Sequence, residues 1–191
     1  EANDLAAQLD SRVMNMAARL GLPAITPPIT VHYYPGTEWK GKLTDEVVEE
    51  HADEAGLHAH RAFDPTRPAG DGIAEAEALL HRAVGRTRCA WLNAGSILWL
   101  ADSWLGVSMD EWPGRLKAMG VWLTPDDFIR GEFEHHSYFF SWPASGAYVK
   151  SMVAGSGVTG WRDLYERSLK DPELRSYVPE STPEPVASAG G

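Results

Sequence analysis

The stretch from His81 to Trp104, HRAVGRTRCAWLNAGSILWLADSW, decides how the chain is read. It closes one predicted helix, 73–86, and holds most of a second, 89–105, with a link around 86–88 short enough to make the two helices neighbours. The first carries His81, Arg82 and Gly85; the second carries Trp91-Leu92-Asn93-Ala94-Gly95 and then Trp99 and Trp104. Among His81, Arg82, Gly85 and Ala94, His81 alone has a side chain able to ligate a metal. Arg82 is a cation, and Gly85 and Ala94 have no side-chain donor.

Upstream, Leu5, Leu9, Val13, Met16, Ala17 and Leu20 recur at helical spacing up to Gly21, which predicts an amphipathic helix ending in a glycine cap. Pro23, Pro27 and Pro28 break that pattern. Residues 29–34 are β-branched and aromatic and read as a strand, and 57–63 read as a second, with His58 and His60 on one face. Between them TDEVVEEHADEAG, 44–56, is expected to form a short acidic helix, and DPTRPAGDG, 64–72, a turn-rich loop. Downstream, Thr124-Pro125-Asp126-Asp127 opens a helix with proline at its first position, and residues 145–152 continue the helical part. PESTPEPVASAGG, 179–191, has the composition of a disordered tail, so one domain is expected over residues 1–178.

With 191 residues and 43% apolar content the chain can bury one sizeable core. Its formal charge of −10 argues against nucleic acid or an anionic membrane surface as a partner. No apolar run is long enough to cross a bilayer. Residue 1 is Glu rather than Met, and the sequence is expected to start inside a longer or processed chain. Cytoplasm is the expected location, with an N-terminal signal already removed as the open alternative. The single cysteine, Cys89, has no partner for an internal disulfide and is expected to be a small buried side chain.

His81-Arg82-Ala83-Val84-Gly85 has the length of a His-Glu-x-x-His phrase, and Trp91-Leu92-Asn93-Ala94-Gly95 that of a Trp-Leu-Asn-Glu-Gly phrase. NDLAAQLDSRVMNMAARLGL and ITVHYYP precede them, and YFFSWPASGAYV, 138–149, follows, similar to a Tyr-x-x-x-Gly-Ser-Phe-Val element. In that order the phrases resemble the small bacterial gluzincin or peptidase-MA-like metallopeptidases over roughly residues 3–170. The resemblance implies an α+β, mainly helical scaffold with a small β-sheet and a helical C-terminal part. It also implies that the metal chemistry is gone, because Arg82 replaces the glutamate base, Gly85 the second histidine and Ala94 the glutamate ligand. A catalytic zinc needs three protein ligands, and this helix pair offers His81 alone. The Arg82 charge opposes an ion there as well. No metal and no other cofactor is therefore expected. Only eight residues separate Gly85 from Ala94, which means either a shortened link or a different register on the first helix.

The eight tryptophans fall mostly where that scaffold would set its cleft: Trp91, Trp99 and Trp104, then Trp112 and Trp122, then Trp142. On a helix Trp91 and Trp99 lie about 80° apart and Trp104 about 140° from Trp99, so the rings must divide between core and cleft. His81, Arg82, Trp91, Asn93, Trp99 and Trp142 form the expected ligand-binding set, suited to a small apolar or aromatic molecule.

Residues 132–138, EFEHHSY, form the other cluster of chemical groups. In a helix Glu132, His135 and His136 share a face, a spacing that suits a carboxylate–imidazole pair; the plainer reading is a solvated charged turn. Glu132, Glu134, His135 and Tyr138 are the expected catalytic residues. His51, His58 and His60 make a second histidine group that, with Glu132 or His135, has the ligand types for a different metal site. Three functions follow, in order. The first is a repurposed, metal-free acid/base enzyme of the lyase, isomerase, cyclase or condensation kind, acting on an apolar or aromatic small molecule as in bacterial specialised metabolism. The second is a pseudoprotease that binds a peptide or small molecule without turnover. The third is an active metallopeptidase with a displaced metal.

Overall fold

The computed structural model describes residues 2–22 and 27–174; the expected tail, 179–191, lies outside them. The chain is α+β and mainly helical. Helix α1 (Ala2–Arg19) buries Leu9, Met16 and Ala17, the residues whose spacing predicts it. Strand β1 (Thr30–Tyr34), helix α2 (Thr37–Thr44), strand β2 (Glu50–Ala52) and strand β3 (His58–Ala62) follow. The strands form one sheet in the order β1-β3-β2, with β1 parallel and β2 antiparallel to β3. Alternation along β3 buries Ala59 and Arg61 on one face and leaves His58 and His60 half-buried on the other.

The acidic stretch 44–56 is not a helix, contrary to expectation. Helix α2 ends at Asp45, which is in the left-handed region with φ 59°, and Glu50, His51 and Ala52 pair with β3. Long-range partners override the helical composition. The Glu50 carboxylate accepts hydrogen bonds from the backbone N–H groups of Asp71 and Ile73 (both 2.8 Å) and pairs with Arg61 at 3.1 Å. Arg61 also holds Glu75 at 2.6 Å, and all three side chains lie out of solvent. One charge network thus ties the edge strand to the start of helix α3 (Ile73–Val84).

Helix α4 (Ala90–Ala101) runs through the core and packs along α7 (Tyr138–Ser168), a helix broken at Gly157. Glycine makes the close approach possible. A Cβ on Gly95 would sit 2.7 Å from the Ser145 carbonyl oxygen, and one on Gly146 2.7 Å from the Leu98 Cβ. Helix α4 stops short of the expected residue 105, because Asp102 turns the chain with φ 58° and the short hairpin of β4 (Ser103–Trp104) and β5 (Val107–Ser108) begins. Helix α5 (Trp112–Ala118) and helix α6 (Pro125–Ile129) come next. The latter starts, as predicted, at Thr124, whose hydroxyl and backbone N–H exchange hydrogen bonds with Asp127. Among the described residues no helix is long and apolar enough to cross a membrane.

Candidate functional site

A cleft of about 500 Å³ opens between β2, α3, α4, the β4–β5 hairpin and the first turn of α7. A second hollow of about 550 Å³ adjoins it and shares Arg86, Asn93 and Trp142. The apolar wall is aromatic. Trp104 lies 5.3 Å from Trp142 and meets Tyr138 edge-on at 6.1 Å, while Tyr138 and Phe139 are 4.2 Å apart.

The polar side is built on α3 and α4. Glu77 lines the cleft, and its Oε2 accepts a 2.8 Å hydrogen bond from the Ala52 backbone N–H on β2. Burial raises the Glu77 pKa above the usual carboxyl range; that hydrogen bond and the Arg86 charge pull it back only in part. One turn further, His81 Nε2 lies 3.3 Å from Asn93 Oδ1, and the Tyr165 hydroxyl on α7 donates to the same oxygen at 3.1 Å. Burial lowers the His81 pKa and raises that of Tyr165, so the imidazole is neutral and the phenol protonated at neutral pH. Asn93 lines both hollows, and with Oδ1 so engaged its amide nitrogen remains to donate to a ligand.

Of the residues expected from sequence, Asn93, Tyr138 and Trp142 line the cleft, and His81 stands behind Asn93. Three others face elsewhere. Trp91 packs on Phe128 and Tyr148, and Trp99 on Trp161, in the core, because their faces of α4 turn toward the other helices. Arg82 lays its stem against the Gly56 turn, where an added Cβ would meet its Cγ at 2.7 Å. The cleft's cation is Arg86, beyond the helix end. Glu132, Glu134 and His135 form a 3₁₀ turn rather than an α-helix, and His136 leaves it in extended conformation. Glu134 and His135 are exposed, Glu132 is half-buried, and none of the three lines either hollow; Phe133 between them anchors the turn in the core. Gly85 is the C-cap of α3 with φ 84°, so it does not occupy a helical position one turn after His81. Among the residues that escaped the sequence reading, Glu77 and Arg86 line the cleft and Tyr165 stands behind Asn93.

The second histidine group does assemble, on the sheet. His60 stacks between His32 (5.0 Å) and His51 (4.8 Å), His32 Nε2 lies 2.9 Å from His58 Nδ1, and His60 Nδ1 meets the Tyr34 hydroxyl at 2.8 Å. The rings bond to one another. Neither Glu132 nor His135 is among their partners. No group of three or more His, Cys, Asp or Glu side chains among the described residues is positioned to hold a metal ion, so the donor set does not fit a catalytic zinc. Comparison with protein-family models, with characterised proteins and with solved structures yields no match to this chain.

Proposed function

We propose that the chain is a metal-free acid/base enzyme, of the lyase, isomerase, cyclase or condensation type, acting on a small molecule with an apolar or aromatic body. The observation that carries this reading is Glu77: a carboxyl group with a raised pKa, one oxygen fixed by the edge strand, in the wall of an aromatic-lined cleft. A carboxyl group whose pKa burial raises is a stronger proton acceptor than a free one, the role expected at first of Glu132 or Glu134. The Asn93 amide and the Arg86 guanidinium would stabilise negative charge developing on a substrate oxygen, and Trp104 and Trp142 would hold the body.

The likeness to a gluzincin-type scaffold is retained in this proposal with its register moved back one helical turn. Glu77 and His81, four residues apart on α3, then take the positions of the paired ligands, and the polar oxygen of Asn93 supplies the contact from α4. In that register the link to α4 would be longer, since Gly85 is no longer counted. A protein that binds a peptide or small molecule without turnover has less use for a carboxyl group of raised pKa in its cleft, which ranks the pseudoprotease second.

The test is untargeted mass spectrometry of metabolite mixtures incubated, in chelator-treated buffer, with the wild-type chain or with Glu77→Gln. Conversion of a compound by the wild type and not by the variant supports the enzyme. A compound retained by both and converted by neither supports the pseudoprotease.

A further inference from the structure

The arginines of this acidic chain are mostly engaged. Arg12 and Arg162 bond backbone carbonyls, and Arg19, Arg61, Arg67, Arg115 and Arg130 pair with carboxylates. Arg82, Arg86, Arg88 and Arg167 have no hydrogen-bond or ion-pair partner among the described residues, and of these Arg86 and Arg88 line the hollows, Arg86 at the junction of the two and Arg88 in the second. In a chain of net charge −10, two guanidinium groups without ion-pair partners around the junction of the two hollows are a local concentration of positive charge. Toward β2 the cleft also carries Glu46, Glu49 and Glu50, of which Glu49 pairs with Arg67 and Glu50 with Arg61. Arg86 is thus the cleft's arginine without an ion-pair partner, and it shares the cleft with the aromatic rings.

We propose that Arg86 and Arg88, with the free Asn93 amide, form an anion subsite that fixes the ligand as a carboxylic acid whose apolar body lies along Trp104, Tyr138, Phe139 and Trp142. A planar carboxylate matches the guanidinium fork with two parallel hydrogen bonds, which a neutral amide does not. A single negative charge also suits the site better than two. Glu77 and Glu46 share the cleft with Arg86, so a phosphate dianion meets more repulsion than a carboxylate. The aromatic wall then requires a body of apolar carbon behind the charged head.

This inference rests on the cleft being the site of the proposed activity, and it is tested by binding, which needs no turnover. Octanoate and phenylpropionate, their primary amides, and inorganic phosphate are titrated calorimetrically into the full chain and into Arg86→Gln, Arg86→Gln/Arg88→Gln and the control Arg115→Gln, whose arginine pairs with Glu111 on α5. Thermal melts confirm that each variant is folded. The acids are expected to bind at least about tenfold more tightly than their amides, and the Arg86 variants to lose about tenfold or more in affinity for the acids alone, the size of one charge-assisted hydrogen bond. The control should bind like the wild type. Equal affinity for acid and amide, unchanged affinity in the double variant, phosphate binding as tightly as the acids, or no binding of any probe at millimolar concentration would each overturn the subsite. Arginine-dependent binding of an acid by a chain that converts nothing would leave the subsite standing and remove the enzyme.

Discussion

A carboxyl group kept largely out of water resists ionisation, and Glu77 is held that way beside the cleft. Its folded pKa is raised, so the stability it confers is full below its unfolded pKa and is lost as pH rises through the folded value. Glu77→Gln should therefore remove a destabilising term at neutral pH, leaving Tm unchanged or slightly higher. In an assay it should cost about 10²–10⁴ in rate with binding retained. Loss of binding together with activity would demote Glu77 to a positioning residue. Arg61 makes the opposite case. Its removal in Arg61→Met strands the buried carboxylates of Glu50 and Glu75, and a loss of about 3–5 kcal/mol in denaturant unfolding is expected. Glu77 was open to view in the sequence, four residues before His81. Spacing alone does not say which turn of a helix faces a cleft. Gly85 held the correcting signal, since a glycine after a helical run most often closes it.

At the level of elements, those that depend on local chemistry were legible: α1 from its apolar period, β1 and β3 from their β-branched and aromatic residues, α6 from Thr124 and Pro125. Strand β2 was not, because three residues carry no period and their pairing comes from β3, Arg61 and the start of α3. Nor could sequence tell which indoles of α4 turn inward. The α4–α7 contact gives a sharp test. Alanine in place of an interior helical glycine normally stabilises by about 0.5–1 kcal/mol. At Gly95 the new methyl would press on the Ser145 backbone at 2.7 Å, which cannot swing aside as a flexible side chain would. Overpacking should win, and Gly95→Ala is expected to lower stability by about 1–3 kcal/mol. A measured gain would mean the two helices slide apart at no cost.

For the whole molecule, acidity is the condition that matters most. Burial, then the charges of Lys40 and His60, lower the His51 pKa from 6.5 to about 4, and His60 is lowered as well. A depressed pKa leaves the unfolded chain binding more protons through that window, so stability is full above pH 6.5 and falls as pH drops toward 4. Allowing for partial solvation, the histidine stack should contribute about 1–2 kcal/mol to that fall, or several degrees of Tm, and His51→Gln should flatten it. Metal should play no part in stability: chelation is expected to leave Tm unchanged and elemental analysis to find no stoichiometric zinc, since no three-ligand group is assembled among the described residues. Glu50 adds a further consequence for motion. Because one carboxylate bonds the backbone N–H groups at the start of α3 while its own residue sits in β2, the edge strand has no private opening event. In hydrogen exchange the amides of Ala52 and Ile73 should answer to a single sub-global unfolding, at the rate of α3 and not at the rate of a frayed three-residue strand. A ligand of the proposed site would then enter between Tyr138, Phe139 and Trp104, and strand peeling would not set its residence time.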